Sequence, residues 1–139
     1  MTRQIDVNKA VIARFFATAG DGGDVLPFLA DDATWWVPGH WALGGTYRKD
    51  ELGPVFDQVL SLMEEAPRFT IHAITAEDDR VAVDCEGEGR FRDGTPYRNT
   101  YHFLFRLRDG AIVAVKEFLN TAYMSQTLAD QLARAETAT

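Results

Sequence analysis

The stretch "PYRNTYHFLFRLRDGAIVAVKEFLNT", Pro96 to Thr121, reads as two long strands joined at Asp109-Gly110. An Asp-Gly pair between two alternating segments is a strong hairpin signal, because both residues tolerate positive φ. Side chains alternate across a strand. In the first strand Tyr97, Asn99, Tyr101, Phe103, Phe105 and Leu107 therefore share one face, and Arg98, Thr100, His102, Leu104, Arg106 and Arg108 share the other. One face is aromatic and apolar; the other is mixed. In the second strand Ile112, Ala114, Lys116 and Phe118 oppose Val113, Val115, Glu117 and Leu119. A carboxylate stands in line with three aliphatic side chains.

Two more strands precede the hairpin, Phe69 to Thr75 and Val81 to Arg92, with "EDDR" and "DGTP" as turn signals. Before them the periodicity changes to helical. "DVNKAVIARFFATAGDGG" predicts a helix with Asp6 as N-cap, stopped by its glycines. "DVLPFLADDA" predicts a short second helix capped by Asp24, with Pro27 in its first turn, where proline is tolerated. "TWWVP" is a strand ending at Pro38. "GHWALGGTYR" is a glycine-rich connection, with a short strand as an option. "KDELGPVFDQVLSLMEEA" predicts a third helix, with Leu52, Phe56, Val59, Leu60 and Met63 on one side. After the hairpin, "AYMSQTLADQLARAE" predicts a C-terminal helix carrying Met124, Leu128 and Leu132, with a frayed tail after Glu136. Helices first and antiparallel strands last mean α+β. One sheet face serves the helices. The other, with Thr100, His102 and Leu104, suits a homodimer contact.

At 139 residues the chain fits one domain, 1–139. A formal net charge of −7 disfavours nucleic acid and anionic membrane as partners. The apolar runs are too short to span a bilayer, and the N-terminus lacks a continuous signal-type segment. Cys85 stands alone, which excludes an internal disulfide and a cysteine metal cluster. No metal motif is present and no cofactor is expected; a cytoplasmic setting is the simplest expectation.

The element order, with "FLADDATW", "GTYRKDEL" and the Pro96–Thr121 stretch, resembles the nuclear transport factor 2-like superfamily, and most of all its SnoaL-like, ketosteroid-isomerase-related group. The resemblance covers nearly the whole chain. It implies a cone: a curved antiparallel sheet packed with three N-terminal helices around a pocket, plus a C-terminal helix. Function does not follow from this fold, which hosts isomerases, dehydratases, cyclases, epoxide hydrolases and non-enzymatic binders. The general-base carboxylate of ketosteroid isomerases corresponds to Val37 here. Their oxyanion-hole tyrosine corresponds to Phe15, and their neutral carboxylic acid to Tyr101. True steroid-isomerase chemistry is thereby disfavoured. An epoxide hydrolase needs an Asp-Arg-Asp set, for which the inward strand faces offer no aspartate. The resemblance also turns Asn99, Tyr101, Phe103 and Phe105 inward, with Val113, Val115, Glu117 and Leu119.

Glu117 on an apolar wall resists ionisation, which suits general acid–base catalysis; the alternative is a structural Glu tied to a nearby Arg or Tyr, or one at the pocket rim in water. Hydrophobicity puts Val81, Val83 and Cys85 toward the core, whereas the resemblance favours Glu86, Glu88 and Arg90 inside. A bulge near Gly87 or Gly89 would reconcile the two. Glu86 and the loop residue His40 are the candidate second catalytic groups. Asn99 and Tyr101 are candidates to hold a substrate's polar atom, with Trp41, Phe15, Phe103 and Leu119 around its apolar body. The expected function is a cofactor-independent lyase, isomerase or cyclase acting on a small, apolar or aromatic carbonyl or hydroxyl compound. The alternatives are a non-catalytic ligand-binding or dimerisation module and an epoxide hydrolase-like enzyme.

Overall fold

The computed structural model describes residues 3–137. Its elements run α1 (Gln4–Gly20), a 3-10 turn (Leu26–Phe28), β1 (Leu29–Val37), β2 (Gly45–Arg48), α2 (Lys49–Leu60), β3 (Met63–Glu77), β4 (Arg80–Phe91), β5 (Pro96–Arg108), β6 (Ala111–Leu119) and α3 (Thr121–Thr137). The strands form one six-stranded sheet in the order β2-β1-β6-β5-β4-β3. All neighbours are antiparallel except β1 and β6, which run parallel. The fold is the expected α+β cone with a C-terminal helix.

Three elements differ in detail from the sequence expectation. The segment after Asp24 makes only a 3-10 turn before β1 begins at Leu29. Its N-cap is Val25 rather than the expected Asp24, whose carboxylate nonetheless accepts from the Leu26 N–H at 3.0 Å. Asp6 lies in the first turn of α1 rather than at its N-cap, which is Arg3. The helix at "KDELGPVFDQVLSLMEEA" stops at Leu60, and Met63 already belongs to β3. The Arg92 N–H donates to the Leu62 carbonyl at 3.0 Å, which draws the chain into the sheet. Pro67 is tolerated there because the β3–β4 register shifts between Glu65 and Arg68, where a ladder donor can be missing. At the other end, α3 runs to Thr137; the last two residues of the expected frayed tail lie outside the described residues.

Alternation decides which side chains meet the helices. On β5, Tyr97, Asn99, Tyr101, Phe103, Phe105 and Leu107 are all buried. On β4 the buried set is Val81, Val83, Cys85, Gly87 and Phe91, so hydrophobic parity governs this strand. Arg80 to Arg90 pair with β5 without a break, and no bulge occurs at Gly87 or Gly89 on that side. On β6 the inward line changes phase. A register shift opposite Arg106–Leu107 brings Ile112 into the core at 0% exposure, while Val113 stays half-buried. From Val115 onward the expected face holds. Ile12, Phe15 and Phe16 of α1 fill the concave side. The Phe15 ring lies 5.4 Å from Phe105, and Phe16 lies 5.3 Å from Phe103, both edge to face.

Candidate functional site

Between the concave sheet and helices α1 and α2 lies a cavity of about 460 Å³. That size is in the usual range for small-molecule sites, ~300–1,000 Å³. Its walls are apolar and aromatic, with Phe15, Trp35, Trp41, Phe56, Phe69 and Phe103 among them. Its polar groups are few: the buried Tyr97 and Tyr101, the half-buried Glu117 and Tyr47, and the exposed Asp24 and Asp57. No Lys, Arg or His lines it among the described residues. The exposed lining residues Gly22, Gly23, Asp24, Asp57, Leu60 and Ala66 frame an opening between the end of α1, the end of α2 and the start of β3.

Glu117 sits directly opposite Phe103 in the β5–β6 ladder, and its face of β6 meets the cavity. Trp35, one strand away on β1, donates its indole N–H to Glu117 Oε1 at 2.8 Å. Burial pushes the carboxyl pKa up to about 7, even though the Trp35 hydrogen bond favours the ionised form. The side chain is half-buried and lies among the residues that line the cavity. A carboxyl held near neutrality can accept or deliver a proton at physiological pH.

Tyr101 lines the cavity and shares a hydrogen bond with Tyr97, their phenol oxygens 2.5 Å apart. Burial raises the Tyr97 pKa to about 12 and carries Tyr101 well above its usual value, so both stay protonated at neutral pH. Tyr97 was not among the candidates from sequence, although strict alternation from Tyr101 places it on the same face. Tyr47 also faces the cavity, with its hydroxyl donating to the Leu43 carbonyl at 2.8 Å.

The other candidates divide. Phe15, Phe103, Leu119 and Trp41 line the cavity. Trp41 is pinned by its indole N–H, which donates to the Pro38 carbonyl at 2.7 Å. Asn99 is buried but does not line the cavity. Its amide donates to the Tyr97 hydroxyl at 3.0 Å and the Asn120 carbonyl at 3.2 Å, and its oxygen accepts from the Asn120 N–H at 3.0 Å. Asn99 therefore holds other groups rather than a ligand. Glu86 is on the outer sheet face, where it accepts from Arg98 at 3.1 Å and lies 4.0 Å from His72. Parity removes it from the cavity. His40 is exposed in the β1–β2 loop and does not line the cavity either. Among the described residues, no group of three or more His, Cys, Asp or Glu side chains could hold a metal ion, and no helix is long and apolar enough to cross a membrane.

Comparison with known proteins fits this geometry. A family model described as a SnoaL-like domain matches residues 10–115. Among solved structures, the chain is similar to TerC co-crystallised with polyporic acid, at 21% identity and a TM-score of 0.75, over 86% of this chain and 96% of that one. It is also similar to a nuclear transport factor 2-like protein of unknown function from Burkholderia pseudomallei, at 21% identity and TM-score 0.74, over 85% and 94% of the two chains. A third similar structure has a ketosteroid isomerase-like fold, from Catenulispora acidiphila, in complex with trimethylamine. It shows 18% identity and TM-score 0.65, over 77% and 82%. No curated protein matches the sequence significantly.

Proposed function

The chain belongs to the SnoaL-like family, and within it we propose a cofactor-independent acid–base enzyme, a lyase, isomerase or cyclase, in which Glu117 moves a proton on a small, apolar or aromatic carbonyl or hydroxyl compound. The single observation that carries this reading is the Glu117 carboxyl. It is buried against an apolar wall, held by Trp35 on one oxygen, and tuned to about 7. With its pKa at about 7, the carboxyl is populated in both its protonated and its ionised form near neutral pH, which is the condition for a general acid or base there. A merely structural carboxylate would be expected to have a cation partner, and no Lys, Arg or His lines this cavity among the described residues.

In this reading Tyr101 faces the substrate oxygen, and Phe15, Phe103, Leu119 and Trp41 enclose the apolar body. The co-crystal of TerC, a protein of similar fold, with polyporic acid supports a small-molecule site here. The protein works as one unit, residues 1–139, in the cytoplasm. It forms a homodimer through the outer sheet face, where Phe118 is 40% exposed and stacks edge to face on Trp36 at 5.4 Å. Loss of the dimer mass in Phe118→Asp would support that contact; a monomeric wild type at micromolar concentration would overturn it.

The test of the chemistry is proton exchange. A panel of aromatic ketones is incubated in deuterated buffer, and uptake at the carbon next to the carbonyl is followed by NMR. The wild type should accelerate exchange of at least one member, and Glu117→Gln should lose roughly 10²-fold or more. Equal rates for the two proteins across every compound the cavity binds would refute the role of Glu117.

A further inference from the structure

Helix α2 is broken in its middle. Pro54 lies inside it and has no N–H to give the Asp50 carbonyl, so one rung of the helix is missing. Gly53 precedes it; without a Cβ, it escapes the clash that keeps other residues out of helical backbone before proline. The two halves are held unequally. Before the break, Leu52 is 1% exposed, and the Glu51 carboxylate accepts from the Arg48 N–H at 2.9 Å. After it, Val55, Phe56 and Val59 are only half-buried, and Leu60 is 42% exposed. All four line the cavity. An apolar helix face is stabilised by what it packs against, and beneath this one lies the cavity. The far end is fixed again. Arg92 donates from its backbone to the Leu62 carbonyl at 3.0 Å and from its side chain to the Ser61 carbonyl at 2.8 Å. Pro54 to Leu60 is therefore a strap, hinged at one end and tied at the other, with an under-packed apolar face at the opening.

One ring of the strap packs on the partner of Glu117. The Trp35 ring, whose N–H donates to that carboxylate, is flanked by three phenylalanines. The centroids of Phe15 and Phe103 each lie 6.3 Å away, and that of Phe56 lies 5.5 Å away, edge to face. Phe15 and Phe103 are buried on α1 and β5, whereas Phe56 belongs to the strap. We propose that the strap packs down on a bound ligand, and that Phe56 is a positioning residue which then holds the Trp35 indole on Glu117. This rests on the cavity being the ligand site and on Glu117 being its proton-transfer group. Phe56 acts on that carboxyl only through Trp35. Filling the cavity thus completes the packing around the group that moves the proton, as closing segments do in other sites.

The experiment is hydrogen exchange of the full chain in deuterated buffer, read by NMR, with 1-indanone as the probe. It needs no turnover. At a probe concentration of about ten times Kd, exchange of the amides from Val55 to Leu60 should slow about 10-fold, because the strap opens only when the probe leaves. The Trp35 indole N–H should slow with them. Glu117→Gln should show the same slowing of the strap, so closure is tested apart from proton transfer. Phe56→Ala should keep the slowing at Val55 and Val59 and lose it at the Trp35 indole. Phe56→Tyr, which keeps the ring, should restore it. Pro54→Ala supplies the missing N–H and should slow exchange of the strap in the free protein; an unchanged rate would overturn the hinge. Strap amides that exchange alike with and without bound probe would overturn the proposal. An indole that still slows in Phe56→Ala answers to the ligand directly, and that overturns the role of Phe56. Faster exchange throughout α1 in the same variant would overturn it too, by showing a merely structural ring. If calorimetry finds no binding of 1-indanone, camphor or 2-naphthol, the cavity is not the ligand site, and the proposal falls with that reading.

Discussion

Trp35 of β1 donates its indole N–H to the Glu117 carboxylate of β6 at 2.8 Å, across the one parallel junction in the sheet. An indole can only donate, so the bond favours the ionised carboxyl, while burial favours the neutral one. Burial wins, and the pKa rests at about 7. Replacing Trp35 by Phe removes the opposing force. The Glu117 pKa should then climb, and if Glu117 is the base, the rise of kcat/KM with pH should shift to higher pH. A pH–rate profile, or carboxyl chemical shifts from 13C-labelled Glu, measures it. A shift to lower pH would mean that the indole is not the stabilising partner.

The same tuning makes stability depend on pH, and the sign follows from proton counting. Between 4.5 and about 7 the folded Glu117 keeps its proton and the unfolded one has lost it. The native state binds more protons there, so stability falls as pH rises through this window and stays low above it. The full span is on the order of 3 kcal/mol. Glu117→Gln carries no such penalty. Its advantage over the wild type should be absent near pH 4.5 and grow toward pH 8 in urea unfolding. A constant difference across that range would mean that Glu117 titrates normally.

How legible this was can be judged on single residues. Glu117 was visible because strand alternation is strict, and one carboxylate among Val115 and Leu119 breaks it. Tyr97 followed from the same parity as Tyr101, but nothing in the sequence shows that two phenols on alternate positions will touch. Glu86 was misplaced because family likeness was weighed against hydrophobic parity, and parity governs a strand with no bulge on its β5 side. Asn99 was read as a ligand contact because a buried amide beside a pocket looks free. Its partners lie at Asn120, after the end of β6, and only the folded chain brings them together. The phase change at Val113 comes from a register shift that hairpin length alone cannot announce.

The location of the opening yields another test. The glycine-rich "PGHWALGG" loop and the C-terminal helix offer one conceivable route into the cavity. In the structure Met124 of that helix is buried, and the exposed rim is instead at Gly22–Asp24, Asp57, Leu60 and Ala66. Leu60, 42% exposed, can be enlarged without entering the core. Leu60→Trp should slow both association and release of a cavity probe, with little change in Kd, because it narrows a passage. His40→Trp, on the other proposed route, should change neither rate in stopped-flow fluorescence. The opposite pattern would move the mouth to the β1–β2 loop.

Gly87 and Gly89 lie two residues apart on β4, and they should respond differently to the same methyl group. A Cβ on Gly87 would meet the rings of Phe69 and Tyr101 at 3.2 Å. Rings can yield by a few tenths of an ångström, and alanine restrains the unfolded chain more than glycine does, which favours folding by about 0.4–1 kcal/mol. These effects oppose each other, so Gly87→Ala should change stability by less than about 1 kcal/mol. One of the two rings that must yield is Tyr101, whose phenol faces the ligand. Affinity for a ketone probe should fall, and that for a hydrocarbon probe of the same shape should fall less. A Cβ on Gly89 would lie 2.6 Å from the Glu65 carbonyl oxygen and 3.2 Å from the Pro67 nitrogen. Backbone at a proline in β3 cannot yield cheaply. Gly89→Ala should therefore lose roughly 1–3 kcal/mol in urea unfolding, as overpacking does, while the folded fraction keeps its ketone preference. If Gly87→Ala instead proves the more destabilising, with probe selectivity intact, Tyr101 is not the group that the added methyl displaces.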